Sequence, residues 1–165
     1  MSEYLKMAFA ISLPFYGSLP SQFTMKKEID GWYKTIKKPC FTPPNYVFGP
    51  VWTALYAAMG YASYLLWKEG GGFNEQTKLP IMLYGTQLVL NWAWSVIFFK
   101  KHQIGWASVD LTILYANVVA CVLTFRPISH QASNLLLPYL AWITLASALN
   151  FRIWMLNKHN LTRED

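Results

Sequence analysis

Apolar residues along this chain fall into five long runs separated by polar joints. The runs cover about residues 4–24, 46–67, 79–99, 103–125 and 134–156. A bilayer core about 30 Å thick needs roughly 20 consecutive apolar helical residues, and each run reaches that length. Membrane-spanning strands would be about 10 residues long and would alternate in polarity. These runs are twice as long and do not alternate. The pattern therefore predicts an all-α membrane protein, a single domain over 1–165 built as a bundle of five transmembrane helices. The first run is the least regular. It carries Lys6 near its start and Pro14 and Pro20 inside, and a kinked helix is expected there. The second and third runs hold no charge, the fourth holds Asp110, and the fifth holds Arg152 near its end.

The joints are short except the first. Met25 to Asn45 contains Lys26, Lys27, Lys34, Lys37, Lys38 and the turn formers Pro39, Pro43 and Pro44. A connection of about 20 residues is long enough to act as a lid. Gly70-Gly71-Gly72 reads as a flexible turn with no phosphate-loop pattern around it. No internal repeat is visible, and an odd number of helices argues against an inverted-repeat transporter. Ten of the 14 basic residues fall on the side of the first loop, the Lys100-Lys101 turn and the tail. Lys6, Lys68, Lys78 and Arg126 fall on the other. That bias places the C-terminus in the cytosol.

Composition sharpens this picture. Only 13% of residues are charged, about half the globular norm. The net charge of +6 would suit nucleic acid, but the lysines lie between apolar runs instead of along one helix face, so that partner is excluded. The eight tryptophans suit the membrane interface, packing, and stacking against flat ligands. Cys40 falls in a loop and Cys121 in a span, which excludes a disulfide framework. Neither a signal peptide nor an Arg-rich presequence is read at the start.

Polar side chains inside spans turn toward the bundle interior, because lipid offers them no partner. Tyr84, Gln87, Asn91 and Trp94 share a face of the third helix by spacing. Trp52, Tyr56, Gly60 and Tyr64 do so on the second, Trp106, Asp110 and Asn117 on the fourth, and Trp142, Ala146 and Leu149 or Asn150 on the fifth. These stripes mark either a hydrogen-bonded seam or a cavity lined by rings and a few polar groups. Asp110 is equally readable as a structural partner and as a functional group. His102, His130 and His159 are far apart with no metal-ligand spacing. No nucleophile, histidine and acid arrangement assembles within the spans, so neither hydrolytic nor metal chemistry is expected, and no cofactor is implied.

WYKTIKKPCFTPPNYVFGPVWT at Trp32–Thr53 resembles the signature of the translocator protein family, also called peripheral benzodiazepine receptors or tryptophan-rich sensory proteins. The likeness continues in order through LYAAMGYASYLLWKEGGGF, LYGTQLVLNWAWSVIFF, GWASVDL and LLPYLAWITLASALNFRIW. LLWKEGGGF is closer to the animal branch. The resemblance implies a five-helix bundle, often a homodimer, with a ligand pocket beneath the long first loop. It implies binding of porphyrins and of isoquinoline or benzodiazepine-type ligands, cholesterol binding in animal members, and residence in the outer mitochondrial membrane. Pocket positions carried over are Phe48, Gly49, Val51, Trp52, Asn91, Trp94, Trp106, Val109, Trp142, Ala146 and Leu149. An alternative implied by bacterial relatives is light-driven porphyrin breakdown at pocket tryptophans, here Trp52 and Trp142. The sterol stretch at the end of the fifth helix maps to Leu149, Phe151 and Arg152. Phe151 stands where the family has tyrosine, so the phenolic hydroxyl is missing, which weakens the expectation of sterol binding.

Overall fold

The computed structural model describes residues 2–161, with side chains for 2–19 and 25–158. The described residues form helices joined by turns: α1 Glu3–Asp30, α2 Trp32–Thr35, α3 Asn45–Glu69, α4 Glu75–Ser95, α5 Ile104–Phe125, α6 His130–Leu135 and α7 Leu137–Leu161. A π-helical turn, Val96–Lys100, extends α4. Local chemistry sets several of these ends. Ser2 accepts from the Leu5 N–H at the start of α1. Asn74 and Thr77 close a reciprocal capping box at the start of α4, and Ser129 accepts from the Ala132 N–H at α6. Each satisfies backbone donors that a helix start leaves unbonded. Between α3 and α4 the chain reverses through Gly71 and Gly72, both at positive φ, where a Cβ would be strained.

Several boundaries differ from the hydropathy reading. The first helix runs to Asp30 instead of ending near residue 24, and α2 occupies part of the expected loop, which leaves only residues 36–44 irregular. Lysine and glutamate lower hydropathy without stopping a helix, since both are good helix formers; charge was read as chain reversal where the helix runs on through it. For the same reason α4 begins at Glu75 instead of 79. The fifth run divides at Leu136, so that α7 opens with Pro138 in its first turn, where a missing N–H breaks no bond.

Glu75–Lys100, Ile104–Phe125 and His130–Lys158 are each long and apolar enough to cross a membrane. The helices close into a ring in the order α3, α1, α4, α5, α7, with α1 lying against both α3 and α4 and α5 against both α4 and α7. At Gly60 a Cβ would stand 2.6 Å from the Ile11 Cα, so α1 and α3 touch backbone to backbone. The core is Leu55, Met59, Leu66, Leu88, Leu114 and Ile143 with their neighbours. Polar groups stitch it across helices. Tyr56 Oη donates to Asn91 Oδ1 at 2.9 Å, and Asn91 Nδ2 donates to Tyr139 Oη at 3.2 Å. Each such bond contributes about 0.6–1 kcal/mol in a membrane.

Candidate functional site

The ring closes least tightly between α3 and α7, and there aromatic side chains fill the gap. Trp52 meets Trp142 edge to face at 6.4 Å between ring centroids, and Phe48 meets Trp142 at 5.8 Å. Trp94 stacks on Phe98 at 5.3 Å. These rings enclose a cavity at the bundle end that carries the first loop. Met25 and Ile29 of α1, Tyr33 of α2, Phe99, Leu145 and Ile153 complete much of its wall. The cavity contains no charged group. Of its two amides, Asn45 and Asn150, the second is already engaged: Oδ1 accepts from Trp94 Nε1 at 3.3 Å, while Nδ2 donates to Ser108 Oγ and to the Ile104 carbonyl. Apart from the Asn45 amide, the walls therefore offer mainly ring faces and aliphatic carbon.

The cover is fastened at three points. Asn157 of α7 grips the backbone of Lys37 from both sides: its Oδ1 accepts from the Lys37 N–H at 3.0 Å, and its Nδ2 donates to the Lys37 carbonyl at 2.9 Å. Lys38 donates to the Tyr33 and Ile36 carbonyls and sits over the Tyr33 ring. Burial pushes the Tyr33 phenol up to about 12 and the Lys38 ammonium down from its ordinary value, so both ends of this contact are partly withdrawn from water. On the outside, Trp32 stacks on His102 at 4.1 Å, and His102 Nε2 lies 2.9 Å from Glu28 Oε2. With the cover fastened, the cavity holds about 40 Å³, room for a few waters, whereas ligand pockets run to about 300–1,000 Å³.

The structure brings Phe48, Trp52, Trp94, Trp142, Ala146 and Leu149 together around that cavity. Asn91 lies deeper, inside the tyrosine–asparagine relay. Val51 packs on the main core, and Gly49 faces open space. Trp106 and Val109 go elsewhere. Trp106 is 67% exposed, and both line a shallow outer groove of about 460 Å³ with Gly105, Phe151 and Trp154. The sterol triplet is divided accordingly: Leu149 faces the cavity, while Phe151 and Arg152 are exposed. Asp110 is buried at 8% exposure, and its Oδ2 has no hydrogen-bond partner. Tyr33, Phe98 and Phe99 belong to the cavity wall without having been assigned to it, while Asn150, offered beside Leu149 on the fifth-helix stripe, lines it as well. The Phe98-Phe99 pair at the end of the third apolar run was the available signal, read there as span boundary.

No three His, Cys, Asp or Glu side chains among the described residues gather into a metal-binding group. What the arrangement offers is a small, largely apolar, aromatic-walled cavity behind a hydrogen-bonded cover.

Residues 9–155 match the model of the TspO/MBR family. The human translocator protein is 49% identical over 123 residues, covering 74% of this chain and 73% of the relative. The sheep translocator protein is 46% identical over 127 residues, 77% and 75% of the two chains. An archaeal relative, the tryptophan-rich protein TspO of Archaeoglobus fulgidus, is 41% identical over 149 residues, 89% and 91% of the two.

Proposed function

Because the chain belongs to the TspO/MBR family, we propose that it is an integral membrane binding protein for porphyrins, cholesterol-like sterols and benzodiazepine- or isoquinoline-type ligands. The observation that carries this reading is the convergence of Phe48, Trp52, Trp94 and Trp142 on one uncharged slot beneath a fastened cover. Flat ring systems fit such walls, and each good aromatic contact contributes about 0.5–1.5 kcal/mol beyond area burial. Entry requires the cover to lift and the rings to part. The binding-competent state is then a minor one, and intrinsic affinity is reduced by its population. Sterols would use a different surface, the lipid-facing groove of Trp106, Val109, Phe151 and Trp154. There a rigid apolar body can lie along two helices.

In this reading all five long helices cross the bilayer, including α1 and α3. Their tyrosine, tryptophan and proline content depresses hydropathy without adding charge to the middle of either helix. The protein is a homodimer of the outer mitochondrial membrane with its C-terminus in the cytosol, on the side rich in lysine. Protease accessibility on intact mitochondria tests the topology, and a tail after Asn157 that stays protected until the membrane is broken reverses it.

The deciding experiment titrates the purified protein with protoporphyrin, cholesterol and an isoquinoline side by side. Trp52→Ala and Trp142→Ala should each weaken protoporphyrin about tenfold, whereas the Trp→Phe variants should stay within a few-fold of wild type. Unchanged protoporphyrin affinity in both folded alanine variants would move the site elsewhere. The perpendicular pair of indoles at one cavity also favours a second reading, a light-dependent porphyrin-degrading photo-oxidase with dioxygen as oxidant. Illumination of the protoporphyrin complex distinguishes the two. A defined product that disappears in Trp→Phe variants with retained binding selects the enzyme.

A further inference from the structure

Charge is divided unevenly between the two ends of the bundle. By sequence, ten basic residues fall at the loop end against four acids, Glu28, Asp30, Glu164 and Asp165, the last two in the tail beyond the described residues. Six positive charges are left over. At the end that carries the glycine turn, four basic residues stand with Glu3, Glu69 and Glu75, and one charge is left over. There Lys6 pairs with Glu3 at 2.9 Å, and Glu3 also accepts from Tyr64 Oη at 3.1 Å, beside an open groove of about 390 Å³ between α1, α3 and α4.

Both described acids of the loop end are taken. Asp30 pairs with Lys34 at 3.1 Å, and Glu28 Oε2 lies 2.9 Å from His102 Nε2. Lys38 is spent on the Tyr33 and Ile36 carbonyls. Lys26, Lys27, Lys37, Lys100, Lys101 and Arg152 are exposed, and none of these six side chains belongs to an ion pair among the described residues. They are not scattered. Lys27 and Lys101 directly precede Glu28 and His102, whose contact brings the end of α1 against the turn between α4 and α5. Lys37 is held at the end of α7 by Asn157. Like charges gathered in this way repel one another and call for counter-ions.

Their position says what supplies those counter-ions. Lys100 and Lys101 stand between two helices long and apolar enough to cross a membrane, Glu75–Lys100 and Ile104–Phe125, where the chain leaves the bilayer and returns. Arg152 lies inside a third such segment, His130–Lys158, about 9 Å along the helix from its end, and it is exposed. What surrounds it there is lipid. A guanidinium at that depth extends toward the headgroups, where the bilayer keeps its anions and where no soluble partner reaches it.

We propose that the loop end binds anionic phospholipid headgroups of the leaflet in which it stands, Lys26, Lys27, Lys100 and Lys101 gathering them beside α1 and Arg152 taking a phosphate on the lipid-facing side of α7. Clusters of about four to eight basic residues at the ends of transmembrane helices attract such lipids. A zwitterionic lipid brings a phosphate but no net charge, so it answers Arg152 and leaves the excess standing. None of the six basic residues lines the aromatic cavity, so this surface is independent of the ligands assigned there.

The test uses the full chain in non-ionic detergent, washed free of native lipid and incubated with equal amounts of dioleoylphosphatidylglycerol and dioleoylphosphatidylcholine, which share their acyl chains. Bound lipid is counted by native mass spectrometry. Wild type should retain phosphatidylglycerol with at least about tenfold preference. Lys26→Gln, Lys27→Gln, Lys100→Gln and Lys101→Gln combined should bring that preference below about threefold. Lys68→Gln, Lys78→Gln and Arg126→Gln combined, at the other end, should leave it unchanged, with circular dichroism and gel filtration confirming the fold of each variant. Equal retention of the two lipids by wild type overturns the proposal, and that arm needs no variant to fold. A preference that survives the loop-end changes, or falls as far with the changes at the other end, overturns it as well. Wild type that holds a polyglutamate peptide in preference to either lipid would make an acidic protein the partner, and the proposal would fail.

Discussion

The two ends of this bundle use the same helices to opposite effect. At the loop end, large rings from α3, α4 and α7 press together and leave about 40 Å³. At the glycine-turn end, α1, α3 and α4 leave about 390 Å³ open. The difference is one of fastening. The loop end is held by side chains that reach across the fold, such as Asn157 on Lys37 and His102 on Glu28. At the other end the turn is set by local devices, a capping box and two glycines at positive φ, and the long-range bond from Tyr64 Oη to Glu3 ties α1 to α3 without covering the groove. One end is thus drawn shut by contacts between distant side chains, and the other stands open between its helices.

The largest effect expected from this contrast is on stability. Trp142→Ala removes a ring packed against Phe48 and Trp52, and should cost about 3–5 kcal/mol. Trp67→Ala, at the open end and 43% exposed, should cost less than about 1 kcal/mol, because lipid replaces much of what is lost. Comparable melting losses for the two in the same detergent would show that the ends are packed alike. Next in size is Gly60→Ala, whose Cβ meets backbone atoms of Ala10 and Ile11 at 2.6–3.0 Å. Backbone cannot swing aside as a side chain can, so a loss of about 1–3 kcal/mol is expected. An unchanged melting temperature would mean that the α1–α3 contact is loose.

Asn157→Ala acts on closure more than on global stability. It removes the partner of the Lys37 N–H and carbonyl, and partly buried bonds of this kind contribute about 1 kcal/mol each at most. Hydrogen exchange of the Lys37 amide should quicken by roughly tenfold. Ligand association should quicken with it, while the melting temperature moves little. Unaltered exchange would show the cover to be held elsewhere. Asp110→Asn is expected to stabilise, by about 1–3 kcal/mol, because it removes a charge whose buried oxygen has no partner. A loss of stability would reveal a partner for the carboxylate.

The smallest effect is the pH response of the groove mouth. Glu3 is held below its ordinary value of 4.5 by Lys6 and Tyr64, so its contribution is present above that pH. It fades as pH falls from 4.5 through the lower folded value. Because Glu3 is exposed, the melting curve should show only a shallow acid slope, and Lys6→Gln should reduce it. An unaltered slope in that variant would place the titrating group elsewhere.

Much of this architecture was readable in the chain. Apolar run length located the long helices, and four-residue spacing correctly turned Tyr56, Tyr84, Gln87 and Asn91 inward, since a buried polar group leaves a periodic mark. The α5 stripe failed for a physical reason. Trp106 and Asp110 are one turn apart, yet indole is at home in lipid whereas a carboxylate is not, so a small rotation buries one and exposes the other. Hydropathy also ended the first helix too early, because lysines after Met25 end the apolar run and not the helix. The Asn157–Lys37 clasp had no local signature at all. Its partners lie 120 residues apart, and a single asparagine near the end of an apolar run looks the same whether or not it finds a backbone to hold.

That clasp makes the entrance and the tail one mechanical unit. Asn157 sits in the final turns of α7, held by its Nδ2 bond to the Ile153 carbonyl at 2.7 Å, so its peg stays in place only while those turns stay wound. Helix ends fray readily. Whatever winds or unwinds this one, whether a fused tag, a docked protein or a charged lipid surface, also tightens or slackens the lid. A tail cut back into the last turn should behave like a door with its hook removed, even though no atom of the slot has changed.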